Sequence, residues 1–194
     1  MQLKTKQMGI FSALVLLMAA TRGSHFGSSF SLPDATLAVF LLAGILMPRF
    51  TWIAALAFVI LLLEAGGIDY YAINAAGVSD WCVTPAYWFL IPTYASMWLG
   101  GHWFAGRQQF NLSSLALFGI VSCLTTTAAF LISNGSFFLL SGYYPEMSLA
   151  EYSGRVTQYY APYLAGSLIY LALAAVVYIL LHNLNKTSAG TTHS

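Results

Sequence analysis

The sequence predicts an all-α membrane protein, six transmembrane helices in one bundle with both termini cytoplasmic, and three observations carry that prediction. The first is composition. Of 194 residues 59% are hydrophobic and 7% charged, where a soluble domain carries roughly 25% charge, so the chain has too little polar surface to cover a water-facing exterior. The second is the spacing of apolar segments, which run over 3–20, 35–47, 51–71, 85–104, 112–133 and 162–181; most approach the roughly 20 residues that a membrane-crossing helix needs. The third is the placement of cations. Six crossings put Lys4, Lys6, Arg49, Arg107 and Lys186 on the side of the termini and leave Arg22 and Arg155 opposite. Cytoplasmic faces are the richer in Lys and Arg, which places the termini inside. Residues 1–185 then form a single transmembrane domain, and 186–194 a polar C-terminal tail.

Taken in order, the first segment resembles an export signal, with Lys4 and Lys6 ahead of an apolar run. A cleavage site wants small residues one and three positions before the cut, and Met18, Ala19 and Ala20 do not supply that pair, so this stretch reads as the first membrane helix. Gly9 and Ala13 make a small-xxx-small pair on it, suited to close helix packing or to docking a partner. The second segment covers only about 20 Å at 1.5 Å per residue, short of the roughly 30 Å hydrocarbon layer. The Gly/Ser-rich stretch 21–33 must make up the difference, and irregular backbone at membrane depth is tolerated where it lines a cavity. A hollow open to the outer face, roofed by that stretch, follows. Asp34 is placed to cap the second helix, and Thr84 with Pro85 reads as an N-cap and first helical position. Pro92 is expected to bend the fourth helix. Ser148 with Glu151 fits a capping box that starts a short amphipathic helix in the last outer loop. Pro162 should then kink or break that helix before the sixth crossing.

Several function classes fall away at this level. A net charge of +1, with seven Lys and Arg scattered along the chain, lacks the clustered basic face that nucleic acid requires. No GxxxxGK[ST] phosphate loop surrounds any lysine, so no nucleotide-hydrolysing part is encoded. Two cysteines, Cys82 and Cys123, make no disulfide framework.

The residues that can carry chemistry gather on the outer side. Cys82 lies in the outer loop just before the fourth helix, where a helix N-terminus favours thiolate over thiol. A thiolate there is a nucleophile or a soft metal ligand; equally, the residue can be a small hydrophobe packed under the loop. Cys123 lies mid-helix, about 16 Å below the outer end, and reads as core. Asp69 and Glu64 sit in the third helix, where an ionisable group faces a cavity or a partner. Five residues apart, they do not share one helical face. Asp69, nearer the Cys82 loop, is expected to meet a ligand, and Glu64 to hydrogen-bond a neighbouring helix. Arg155 either pairs with Glu151 one turn away, worth a few tenths of a kcal/mol, or reaches over a polar ligand. His25 is a ligand, a hydrogen-bond donor or a solvated loop residue. Aromatics crowd the same face, among them Phe26, Phe30, Trp81, Tyr87, Tyr144 and Tyr159. An interfacial belt explains many of these, but the asymmetry between faces favours a large flat ligand outside.

The runs Thr21-Arg22-Gly23-Ser24-His25, Leu32-Pro33-Asp34-Ala35-Thr36 and Asp80-Trp81-Cys82-Val83-Thr84-Pro85-Ala86-Tyr87 resemble the BtuM family over nearly the whole chain. These are small proteins similar to the substrate-binding S-components of energy-coupling factor transporters, assigned to vitamin B12 uptake. The resemblance implies an S-component-like bundle in a bacterial cytoplasmic (inner) membrane. It also implies that Cys82 is the axial ligand to the cobalt of cobalamin, displacing the dimethylbenzimidazole base, with Asp69, Tyr87, Arg155 and His25 as cobalamin-binding pocket residues. Cobalamin or cobinamide, the lipid bilayer and a separate ATPase coupling module are the implied partners. Transport is the primary expectation. A thiolate donor labilises the ligand across the metal, so loss of cyanide from bound cyanocobalamin is a second, chemical expectation that makes Cys82 catalytic as well as metal-binding. Two alternatives stay open: a membrane-embedded thiol enzyme using Cys82 with His25 or Asp69 as base, and an S-component for another vitamin.

Overall fold

The computed structural model describes residues 2–22, 32–47, 51–75 and 77–190, with the side chains of 2–4 and 185–190 left out. All its regular structure among these is helical. Six α-helices follow one another: α1 (Gln2–Arg22), α2 (Thr36–Leu46), α3 (Trp52–Ala75), α4 (Leu90–Ala105), α5 (Leu112–Leu140) and α6 (Leu149–Gly190), with a 3-10 turn, Pro85–Phe89, leading into α4. Three of them are long and apolar enough to cross a membrane: Trp52–Ala75, Leu112–Leu140 and the part Leu149–Leu184 of α6. The short α2 is apolar too. Leucines that are half or more exposed, such as Leu56, Leu63, Leu124, Leu131 and Leu173, stud the outside of the bundle. A surface of that kind suits lipid, whereas water-soluble monomers keep exposed apolar patches small.

The shortest helix is the centre of the fold. A helix apolar all round is a buried one, and Ala38, Val39, Phe40, Leu41 and Ala43 of α2 have no exposed surface. It packs on α1, α3, α4 and α6. Its approach to α4 is set by two glycines. A Cβ on Gly44 would stand 2.3 Å from the Trp98 carbonyl oxygen, and one on Gly101 2.1 Å from that of Leu41, so the two backbones touch where any side chain would hold them apart. Phe40 stacks on Tyr94, with centroids 4.5 Å apart, and meets Phe58 edge-on.

The local signals mark three of the helix starts. The Asp34 carboxylate accepts from the Thr36 backbone N–H at 2.8 Å. Thr84 caps the 3-10 turn by accepting from the Ala86 N–H, and Pro85 takes its first position. Ser148 accepts from the Glu151 N–H at 3.2 Å, one half of the expected capping box.

The two prolines sit at different places in their helices. Pro92 falls in the first turn of α4, where its missing N–H has no helical acceptor to serve, and the change from 3-10 to α winding precedes it. Pro162 does not break the helix: α6 is one helix of 42 residues, not a short amphipathic helix followed by a separate crossing. Proline deprives the carbonyl four residues earlier of its donor. That carbonyl belongs to Gln158, which is exposed and lines a cavity, so water can replace the lost hydrogen bond.

Candidate functional site

The C-terminal ends of α1, α3 and α5 meet the N-terminal ends of α2, α4 and α6 around a cavity of about 940 Å³. Cys82, Asp69, Tyr87 and Arg155 all line it, although they come from three separate stretches of chain. His25 lies outside the described residues, as do Phe26, Phe30 and the greater part of the expected roof.

Cys82 is held by its loop. The Val83 N–H bonds the Asp80 carbonyl at 2.7 Å and the Thr84 N–H that of Cys82 at 3.0 Å, closing a tight turn over Trp81 and Cys82. Trp81 stacks on Tyr143, centroids 5.4 Å apart, and packs against Phe137. The Tyr143 hydroxyl donates to the Trp81 carbonyl at 3.3 Å. An aromatic clamp from the end of α5 and the loop beyond it thus fixes the segment that carries the sulfur. Cys82 and Cys123 are both free thiols.

The thiol does not have the environment its position in the sequence suggests. Partial burial, and after it the negative charge of Asp69, push the Cys82 thiol above its ordinary range. The helix start expected to favour thiolate is only a five-residue 3-10 turn, capped by Thr84. So short an element has little dipole to offer.

The floor of the cavity is built around Arg22, a residue that sequence reasoning placed on the outer side without giving it a role. It is 8% exposed. Its Nε and Nη2 donate to the two oxygens of Asp69 at 2.8 and 2.6 Å, a two-pronged pairing. Its Nη1 donates to Thr36 Oγ1 at 3.1 Å and Tyr94 Oη at 2.9 Å, with Asp34 at 3.5 Å. Tyr87 donates its hydroxyl to Asp69 Oδ2 at 2.8 Å. One guanidinium therefore ties together α1, the start of α2, α3 and α4. The signal for it was present: a lone cation at the end of an apolar helix, with Asp34 and Asp69 on the same face of the bundle.

This pairing changes what Asp69 offers. Both its oxygens are engaged, so the cavity meets a carboxylate already balanced by Arg22. Tyr87, whose O–H is donated to Asp69, presents its oxygen lone pairs and suits ligand donors such as amide N–H groups. Arg155 pairs with Glu151 at 3.0 Å, exposed on both sides, and also lines the cavity. Glu64 differs from expectation. It bonds no neighbouring helix, and its Oε2 is buried without a partner. The reason is the lack of donors: α2 has no polar side chain after Thr36, and α1 has none from Ala13 to Ala20.

No cluster of three or more His, Cys, Asp or Glu able to hold a bare metal ion occurs among the described residues. A metal that arrives with its own equatorial ligands needs only one protein donor, and Cys82 can be that donor. No family model matches the chain, and no curated protein matches it.

Proposed function

We propose that the chain is a cobalamin-binding transport protein of the bacterial cytoplasmic membrane, related to the BtuM family, with six crossings, cytoplasmic termini and a cavity open to the outside. One observation carries the reading: Cys82 shares a single cavity with Asp69, Tyr87 and Arg155. At about 940 Å³ the hollow lies at the upper end of the 300–1,000 Å³ typical of ligand sites. Cobalt in a corrin has four equatorial nitrogens and two axial positions, and a thiolate can fill one of these. The ring can lie against aromatic walls such as Tyr144 and Tyr159. Tyr87 accepts from the amide side chains that fringe a corrin, and Arg155 donates to their carbonyls.

When the Cys82 sulfur bonds cobalt, its proton leaves to solvent, and the cyanide opposite is labilised. Cyanide departs with its electron pair and takes up a proton, so the metal keeps its oxidation state. The thiol-enzyme alternative has less support from Asp69, one of its two candidate bases, which is held by Arg22 and Tyr87; the other, His25, lies outside the described residues.

The test is the visible spectrum of cyanocobalamin on adding the purified protein. We expect a base-off, thiolate-ligated spectrum that Cys82→Ser abolishes, and binding of cobinamide at comparable strength. An unchanged base-on spectrum counts against coordination, and a Cys82→Ser variant that keeps affinity and spectrum favours another vitamin. Growth rescue of a bacterium that lacks its own B12 importer tests uptake, and rescue without an added ATPase module would make the chain autonomous.

A further inference from the structure

Glu64 takes no part in the cavity, yet it occupies the most expensive place in the fold for a carboxyl group. It is the thirteenth of the 24 residues of α3, about 17 Å from either end at 1.5 Å per residue. Its Oε2 is buried with no hydrogen-bond partner. Helix α3 packs chiefly on α1 and α2. Of these, α2 has no ionisable side chain, and α1 has Lys4 and Lys6 at its far end and Arg22 at its near end, the last already bonded to Asp69 and Asp34. On α3 itself the other ionisable groups are Asp69, which lines the cavity, and the exposed Tyr70 and Tyr71 beside it, all in the last two turns of the helix.

A carboxylate in hydrocarbon with no donor is strongly disfavoured, whereas a neutral acid is tolerated; ionisable groups kept at such places serve ion and proton pathways. Two residues beyond Glu64 come Gly66 and Gly67. Nothing stands within 4 Å of the place where a Cβ would sit on either, so no neighbour requires them to be small. Paired glycines are a common point of helix bending. They separate Glu64 from Asp69, which is anchored in the cavity floor, so a bend there can move the lower part of α3 while the floor stays in place.

Given the uptake reading above, we propose that Glu64 is an intramembrane proton-carrying site and that proton movement through it drives uptake. In each cycle, once a bend at Gly66 and Gly67 lets water from the outer side reach it, the carboxylate takes a proton from that water, forming one O–H bond. That bond breaks when the proton passes to water at the inner face. Nothing is oxidised or reduced.

The full chain and its Glu64→Gln variant, reconstituted in phospholipid vesicles, test this through three readings on the same samples. A hydrophobic carbodiimide, which reacts with protonated carboxyls, is mapped by peptide mass spectrometry over a range of external pH. Cyanocobalamin binding is followed by the visible spectrum. Accumulation of radiolabelled cobalamin is measured with and without an imposed inside-alkaline gradient. We expect Glu64 to be labelled, less so as pH rises, and the variant to bind cobalamin like the wild type. One proton per ligand makes a gradient of one pH unit raise wild-type accumulation by up to about tenfold, with no such response in Glu64→Gln. Labelling absent at every pH overturns the proposal. So does wild-type binding without uptake, or uptake that ignores the gradient or survives unchanged in Glu64→Gln. Absence of any cobalamin binding by the wild type overturns the vitamin reading instead, and the labelling then decides alone whether Glu64 holds a proton. If the variant fails to bind, the gradient response of the wild type decides.

Discussion

Arg22 sits beside the cavity with less than a tenth of its surface exposed, and it is stable there only while ionised Asp69 and Asp34 remain next to it. Removing one member of a buried pair strands the other, at a cost of about 3–5 kcal/mol. Arg22→Met should therefore lower the thermal unfolding temperature in detergent sharply. Arg22→Lys should lower it less, because lysine keeps the charge but cannot grip both oxygens of Asp69. The double variant Arg22→Met, Asp69→Asn should recover part of the loss, since no buried carboxylate is then left alone. The same carboxylate governs Cys82. Thiolate is the reactive form, and a thiol pushed above its ordinary range carries less of it at neutral pH. Iodoacetamide should thus modify Cys82 more slowly than a free thiol at pH 7, with a rate that climbs through the alkaline range. Asp69→Asn should speed the reaction at any given pH, because it removes a negative charge and leaves Arg22 balanced by Asp34 alone, two changes of the same sign.

Among the elements, the crossing of α2 and α4 has the least tolerance. Gly44→Ala or Gly101→Ala places a methyl carbon at 2.3 or 2.1 Å from a facing backbone oxygen, which the backbones can relieve only by separating. Overpacking of this kind costs about 1–3 kcal/mol. Since α4 carries Tyr94, a partner of Arg22, either change should weaken cobalamin binding as well as stability. Alanine at Gly66 or Gly67 meets no neighbour and should raise the unfolding temperature modestly, since glycine inside a helix costs about 0.5–1 kcal/mol relative to alanine. The sequence made these elements legible to different degrees. Composition and apolar spacing were enough for the number of helices, and side-chain capping by Asp34 and Thr84 for two of their starts. The continuity of α6 through Pro162 was not legible, because it depends on whether the Gln158 carbonyl can reach water, which is a property of the assembled cavity. Nor was the burial of α2 at the centre, because a short apolar run reads the same whether lipid or protein surrounds it.

For the whole molecule, what the sequence left hidden was pairing across long distances. Asp69 could be singled out as a carboxylate in an apolar helix, but its partner stands 47 positions away, and nothing local in α1 or α3 connects the two. Charge asymmetry works at the same scale and supplies the orientation proposed for the bundle. With the termini inside, as proposed, the cavity end that gathers Arg22, Asp34, Asp69 and Cys82 would face outward. Cys82 is an exposed thiol and Cys123 is only partly so, on the middle of α5. A membrane-impermeant maleimide applied to intact cells should therefore label the wild-type chain, and Cys82→Ser should abolish the signal, whereas Cys123→Ser should not. Bound cobalamin should slow the labelling, because a sulfur bonded to cobalt cannot attack the reagent. Labelling only after the cells are opened would reverse the orientation and close the cavity to any ligand arriving from outside.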